Sequence, residues 1–501
     1  MASPRQIVIL GGGTAGWMCA AAMSSLVATG RITVRLVESD EIGTVGVGEA
    51  TLPHIKTFND KLGIVEADFM RATNATFKLG IEFRDWGKAG NSYIHPFGAF
   101  GQNWAGVDFH HYWLRAQQAG IEVGSLEDYS MAIAAARAGK FDFPTLDAGS
   151  IKATYAYAYH FDAALYAQYM RGFATSRGVV RSEGRVTDVL LDPGSGNIHG
   201  LRLVSGEVVE GDLFIDCSGF AGLLIDKTLK GPWEDWSPWL PCDRAWAIPT
   251  ENVGPPAPYT RATAREAGWQ WRIPLQHRTG NGYVFSSRHI SEDRARDTLL
   301  AHLEGKPLAE PRLLTFPAGR RTAAWTKNCV AMGLASGFLE PLESTSIYLV
   351  QIAIQNLLKF LRFGGDDRRQ RDEFNRFVDA EYDRIRDFLI LHYHANSRDD
   401  SDFWCDMRDM PIPDSLSRKI ALFRARGYIQ TYRHGLFAPP SWLAVYVGQD
   451  IRPDNYDRMA DDLPLDLIET KMAELKRRIA TAVDTMPSHA VALHHHAGAA
   501  T

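Results

Sequence analysis

Apolar and polar positions alternate along this chain in three styles. Residues 6–10 form a short apolar run that predicts a strand, residues 15–26, rich in Ala and Met, predict a buried helix, and residues 33–37 predict a second strand ending at Glu38. Residues 184–189 and 201–204 alternate around the turn Asp192-Pro193-Gly194-Ser195-Gly196-Asn197 and predict a small antiparallel meander. Two more apolar runs, residues 213–215 and 329–332, predict buried strands. The last third then changes period. Residues 374–393 and 463–481 repeat apolar positions at helical spacing, the latter through Ile468, Met472, Leu475 and Ile479. Strands interleaved with helices, followed by helices alone, predict an α/β chain with mixed sheets and a C-terminal helical cap.

The first strand runs without a gap into Gly11-Gly12-Gly13-Thr14-Ala15-Gly16, and the predicted helix follows at once. Glycines there permit a tight turn and close approach to a pyrophosphate, the helix start meets its charge, and Glu38 is placed to accept from a ribose hydroxyl. This is a complete dinucleotide fingerprint. The returning strands at residues 213–219 and 329–335 favour FAD over NAD, in a layout that looks like the FAD fold of aromatic hydroxylases. Gly43, Gly46 and Gly48, just before Glu49 and Ala50, suggest a backbone strap lying on the cofactor. The expected cofactor contacts are Gly11, Gly13, Thr14, Ala15, Gly16, Glu38, Ser39, Ile42, Glu49, Ala50, Val186 and Leu334.

A second chemical stretch is Gly337-Phe338-Leu339-Glu340-Pro341-Leu342-Glu343-Ser344-Thr345-Ser346, leading into Ile347, Leu349, Val350, Ile352 and Leu357 at helical spacing. Pro341 breaks what precedes it and Ser344 or Thr345 is a natural N-cap. The free N–H groups of such a helix start suit a small anion, with the carboxylate of Glu343 on the same turn; the simpler alternative is an acidic cap. Residues 76–80 read as a strand with one lysine, Lys78, which by residue type is expected to face solvent. In Gly268-Trp269-Gln270-Trp271-Arg272-Ile273-Pro274 the i, i+2 spacing puts both indoles on one face of a strand that Pro274 ends. His110 and His111 invite a metal reading, which is rejected because neighbours are expected to point apart and no Cys or carboxylate stands at ligand spacing.

Composition narrows the classes. The 501 residues suffice for a large enzyme fold, and a net charge of -5 gives no case for nucleic acid. Five widely spaced cysteines without a CxxC pair fit a reduced cytosol, so a cytoplasmic protein is expected. No apolar run reaches the roughly 18 residues of a membrane span, and no targeting segment is evident. The 13 Trp, 17 Tyr and 24 Phe suggest aromatic-lined space.

Taken in order and separation, Gly11 to Gly16, Lys78, Gly268 to Pro274 and Glu343-Ser344-Thr345 resemble the flavin-dependent halogenases of the tryptophan halogenase family. The resemblance runs from Gln6 to about Asp457. It implies that reduced FAD from a separate flavin reductase reacts with molecular oxygen, and that a halide, chloride or bromide, becomes hypohalous acid. Thr345 and Ser346 would hold the halide; tryptophan members usually carry Gly where Ser346 stands. Lys78 would deliver electrophilic halogen, by hydrogen bonding or as a haloamine, and Glu343 would take the ring proton. Trp269 and Trp271 would wall flavin from substrate, which separates this reading from an aromatic hydroxylase or a flavoprotein without chemistry. His95, Phe97, Trp442 and Leu443 would line the substrate pocket. The tyrosine pair that holds free tryptophan in tryptophan-specific members is absent at Ser441-Trp442-Leu443-Ala444-Val445-Tyr446, so indole or a simple indole is the expected substrate. The implied organisation is an FAD module over 1–345 with interleaved pocket segments at about 80–160 and 233–312, a helical cap over 346–485, and a disordered tail over 486–501. The oligomeric state is left open, a homodimer included.

Overall fold

The strand Arg5–Leu10 lies inside a six-stranded sheet, parallel to Leu213–Asp216 on one side and to Ile32–Glu38 on the other. Cys329–Ala331 and Val180–Glu183 extend it in parallel, and Trp325–Thr326 closes one edge antiparallel. Parallel strands are covered on both faces, which is why they read as unbroken apolar runs. Ile7, Val8, Ile9, Phe214 and Ile215 are accordingly all buried. The computed structural model describes residues 5–42, 48–361, 368–432 and 435–498. The strap glycines Gly43 and Gly46 lie outside them.

The chain divides into two units, each assembled from three stretches: 1–75, 161–243 and 315–383 form the first, and 76–160, 244–314 and 384–501 the second. This departs from the expected partition into a module, a cap and a tail. Helix Thr345–Leu361 packs on helices Thr14–Val27 and His54–Leu62, so it belongs to the first unit rather than to a separate cap. The meander forms as expected from Val186–Leu191, Ile198–Leu203 and Val208–Glu210, burying Leu201, Leu203 and Val209 with Val8 and Phe214.

The second unit is built on a seven-stranded mixed sheet in the order Arg312–Thr315, Arg244–Thr250, Thr279–Phe285, Gly268–Pro274, Thr260–Arg265, Gly80–Arg84 and Ser92–Pro96. Thr260–Arg265 runs parallel to Gly80–Arg84, while its pairing with Gly268–Pro274 is antiparallel. Residues 76–80 do not make one strand. Thr76–Lys78 pairs with Ala158–Asp162, and Leu79 breaks out, its N–H donating to the Pro258 carbonyl at 2.7 Å, before Gly80–Arg84 joins the large sheet.

Helices Asp402–Asp409, Asp414–Arg426, Pro439–Gly448 and Leu465–Asp484 lie in this unit, and the last buries the predicted Ile468, Met472, Leu475 and Ile479. Ser401 caps the first of them, its Oγ accepting from the Trp404 N–H at 3.4 Å. The tail is not disordered over 489–497: Ser488 caps a helix His489–Ala497 that buries His489, Leu493 and Ala497. No helix among the described residues is long and apolar enough to cross a membrane.

Candidate functional site

The first unit presents an anion cradle. Gly11 has φ +116°, and a Cβ there would sit 2.2 Å from the Cys217 carbonyl oxygen; one at Gly16 would sit 1.9 Å from the Gly11 oxygen. Only glycine fits either place. A Cβ at Gly13 would meet nothing within 4 Å, so the backbone there is open. Gly13 caps helix Thr14–Val27 without a side-chain hydrogen bond, which leaves the first-turn N–H groups for an anion. Glu38 ends the second strand as expected. Its carboxylate accepts from Arg181 Nε at 2.5 Å and from Trp17 Nε1 at 3.2 Å, and retains lone pairs for a hydroxyl donor. These residues fit a dinucleotide cofactor.

The other expected contacts surround this cradle unevenly. Ser39 is half-buried and Ile42 is 66 % exposed on the turn after Glu38. Glu49 and Ala50 lie on the short strand Gly48–Ala50, and Val186 starts a meander strand whose preceding Gly184 donates to the Glu38 carbonyl at 2.8 Å. Leu334 sits on the turn Gly333–Ala335, where Gly333 has φ +61°. A Cβ at Gly333 would lie 2.9 Å from Ala15 Cβ and 3.6 Å from Val350 Cγ2. This one glycine therefore brings together the cofactor helix, the returning strand and the helix that begins at Thr345.

That helix start is built by backbone geometry. Pro341–Glu343 make a single turn, Ser344 takes φ +58°, a strained place for a residue with a side chain, and the helix opens at Thr345. Glu343 and Thr345 are fully buried, and Ser346 is half-buried. Thr345 Oγ1 has no hydrogen-bond partner among the described residues. A buried hydroxyl beside helix N–H groups is a donor set suited to a small anion.

The second unit holds the aromatic half. Lys78 is 0 % exposed, contrary to the expectation that it faces solvent. Its ammonium stands 5.2 Å from the Phe97 ring centroid, within cation–π range. Beside it, Thr76 donates its hydroxyl to the Pro274 carbonyl at 2.7 Å, so His160 Nδ1–H donates to Thr76 Oγ1 at 2.9 Å and His160 Nε2 accepts from the Thr260 hydroxyl at 2.9 Å. Burial, and then the charge of Lys78, hold this imidazole well below its ordinary range and therefore neutral.

His95 and Phe97 lie edge to face, 6.4 Å apart, and His95 also neighbours Phe388 and Phe437. Phe388 stacks on Phe437 at 3.9 Å and meets Trp442 at 5.0 Å. The expected pocket residues His95, Phe97 and Trp442 are thus joined by two rings that sequence reasoning missed, Phe388 and Phe437. Leu443 is buried on the same helix, which packs on the His95 strand. Trp269 and Trp271 share a face with centroids 6.2 Å apart, and Trp271 lies over Gly282, whose Cβ would fall 2.1 Å from the indole. The Trp269 Nε1–H has no partner among the described residues.

The histidine pair departs from expectation. His110 and His111 do not point apart; their rings are 4.0 Å from each other. His110 Nε2 bonds the Gly427 carbonyl and His111 Nδ1 accepts from the Asp457 N–H, with burial lowering both pKa values, His111 to about 4. Among the described residues no group of three or more His, Cys, Asp or Glu side chains could hold a metal ion.

Residues 6–465 match the family model described as tryptophan halogenase. Tryptophan 6-halogenase SttH of Streptomyces toxytricini is 35 % identical over 97 % of this chain and 97 % of its own. Among solved structures, BrvH, a flavin-dependent halogenase from Brevundimonas sp. BAL3, is 48 % identical, with a TM-score of 0.94, over 98 % of this chain and 99 % of that one. Xcc4156, a flavin-dependent halogenase from Xanthomonas campestris, is 46 % identical with a TM-score of 0.94 over 98 % of both chains.

Proposed function

Because this chain belongs to the tryptophan halogenase family, whose members are flavin-dependent enzymes, we propose that it installs bromide or chloride on indole or a simple indole derivative. The observation that carries this reading is Lys78, a fully buried ammonium set against Phe97 beside the aromatic group of His95, Phe388, Phe437 and Trp442. Gly11, Gly13, Thr14, Ala15, Gly16 and Glu38 hold FAD, with Ser39, Ile42, Glu49, Ala50, Val186 and Leu334 around it. Reduced FAD, delivered by a separate reductase, would activate molecular oxygen, which is the oxidant for the halide. Thr345 Oγ1 and the helix start hold the halide, with Ser346 adjacent.

Lys78 hydrogen-bonds and polarises hypohalous acid as an ammonium, or as an amine takes up the halogen with release of water, and in either form presents electrophilic halogen to a ring. Glu343 balances the positive charge that develops on the ring and removes its proton. Trp269 and Trp271 keep the cofactor and the substrate apart, so that halide and not the ring is oxidised first. His95 and Phe97 orient the ring by stacking, with Trp442 and Leu443 closing the pocket.

The preference for indole over free tryptophan has support beyond the missing tyrosine pair. Tyr446 is committed to packing, stacked on Phe423 at 4.2 Å. Lys419, in a buried ion pair with Asp387 at 2.8 Å, lies 4.9 Å from the centre of Trp442. An internal cation on that ring leaves poor company for a ligand ammonium. The test is direct: reduced FAD, oxygen, bromide and indole are combined with the protein and the product is weighed by mass spectrometry. Bromoindole supports the proposal. Hydroxyindole would indicate a hydroxylase, and no product across a broad aromatic panel would indicate a flavoprotein without this chemistry.

A further inference from the structure

The strand that carries Lys78 is three residues long and lies at the edge of its sheet, paired among the described residues only with Ala158–Asp162. The remaining backbone ties of this region come from elsewhere. On the C-terminal side of Lys78, the Leu79 N–H donates to the Pro258 carbonyl at 2.7 Å. On its N-terminal side, the Phe77 N–H donates to His489 Nε2 at 3.2 Å, and His489 Nδ1–H donates to the Pro256 carbonyl at 2.7 Å. The backbone on both sides of Lys78 is therefore tethered to residues 256–258, once directly and once through an imidazole.

We propose that His489 is a positioning residue for Lys78, standing in for the neighbouring strand that this edge lacks and fixing where the amine stands. The inference rests on Lys78 being the halogen-delivering group. Its two hydrogen bonds use opposite roles, one nitrogen accepting and one donating, which only the neutral Nδ1–H tautomer satisfies. The segment that brings His489 into place is itself stitched down. The His489 N–H donates to the Gly139 carbonyl at 2.9 Å, the Phe141 N–H donates to the Pro487 carbonyl at 3.2 Å, and Lys140 Nζ reaches the Val483 carbonyl at 3.0 Å. Phe141 in turn stacks flat on Phe77, 3.8 Å between centroids. Helix His489–Ala497 is thus coupled through His489 and Phe141 to the residue next to Lys78.

A flexible four-carbon side chain delivers its charge accurately only from a fixed backbone, and a displacement of about 1 Å at a reacting group can cost on the order of a hundredfold. Misplacing Lys78 leaves oxidant production intact and impairs its use. The test therefore reads two quantities in one reaction of the full chain with reduced FAD, oxygen, bromide and indole: bromoindole formed, and oxidant captured by a freely diffusing enol trap. His489→Ala is expected to lower bromoindole by about tenfold or more while the sum of trapped oxidant and product stays at the wild-type level. His489→Gln, which restores an acceptor toward Phe77, is expected to recover part of the product. Wild-type partition in His489→Ala overturns the inference, as does a parallel fall of product and total oxidant with a lowered melting temperature in both variants. Lys78→Met is the control: if it still brominates indole, the assignment of Lys78 fails, and that failure is distinct from one confined to His489.

Discussion

The ammonium of Lys78 lies 5.2 Å from the centre of the Phe97 ring, in a place with no solvent exposure. A strongly hydrated charge is not kept there for stability alone, since burial of an ammonium costs several kcal/mol before its contacts return anything. Replacing Lys78 by Met is therefore expected to abolish indole bromination, by at least a hundredfold, a scale typical of a lost proton-donating or charge-stabilising group. Flavin binding, read by fluorescence titration, is expected to persist. Glu343→Gln should lose about a hundredfold or more as well, with oxidant still captured by an added trap.

Thr345 offers a buried hydroxyl with no partner among the described residues, at a helix start. Thr345→Val keeps the shape and deletes the donor. Loss of one hydrogen bond to an anion corresponds to about 1.5–3 kcal/mol, so the KM for bromide is expected to rise about tenfold to a hundredfold, with the flavin affinity unchanged. Steady-state rates over a bromide series check this.

Gly333 stands where the returning strand, the cofactor helix and the helix from Thr345 meet. Gly333→Ala places a methyl 2.9 Å from Ala15 Cβ and forces a side chain into the left-handed region at φ +61°. The conformational part alone costs about 1–2 kcal/mol. Both the melting temperature and the flavin affinity are expected to fall, whereas the same change at the exposed Gly30 should affect stability only.

Indole and free tryptophan should separate in competition. With the ammonium of Lys419 already on the Trp442 face, kcat/KM for indole is expected to exceed that for tryptophan by at least about tenfold, the factor that 1.4 kcal/mol of unrepaid desolvation yields. A reversed ratio, measured by mass spectrometry with both substrates present, contradicts the assignment.

Acid sensitivity follows from His489, whose pKa burial lowers from 6.5 to about 4. A neutral native imidazole takes up no proton between these values while the unfolded chain does, so native stability is full above pH 6.5 and declines as pH falls toward 4. The shift corresponds to about 3 kcal/mol at most. Melting temperature against pH should therefore lose part of its acid slope in His489→Gln.

What the sequence disclosed, and what it did not, divides along physical lines. The Gly11–Gly16 turn, Glu38 and the Trp269–Trp271 face were legible because each depends on residues within a strand or a turn of each other. The burial of Lys78 was not, since a three-residue strand carries no periodicity and its surroundings come from Phe97 and His160, far along the chain. His110 and His111 misled because successive helical side chains are only about 100° apart, which lets two large rings meet. The helix at His489–Ala497 was hidden by a composition read as a tail; Ser488 after Pro487 was its one local signal. Phe388 and Phe437 gave no sign of belonging together, because a stack between residues with two helices between them along the chain leaves no local pattern.

Each of the two units is threaded from three separated stretches, so a nascent chain cannot finish either one in a single pass. The first unit must wait for residues up to 383 before its last segment exists, and residues 76–160 emerge long before their partners beyond 384. Such long-range closure slows folding and leaves apolar edges open in the interval. Slow synthesis at low temperature, or added chaperone capacity, should therefore raise the yield of active protein, and cutting the gene at any one point will not liberate an autonomous half.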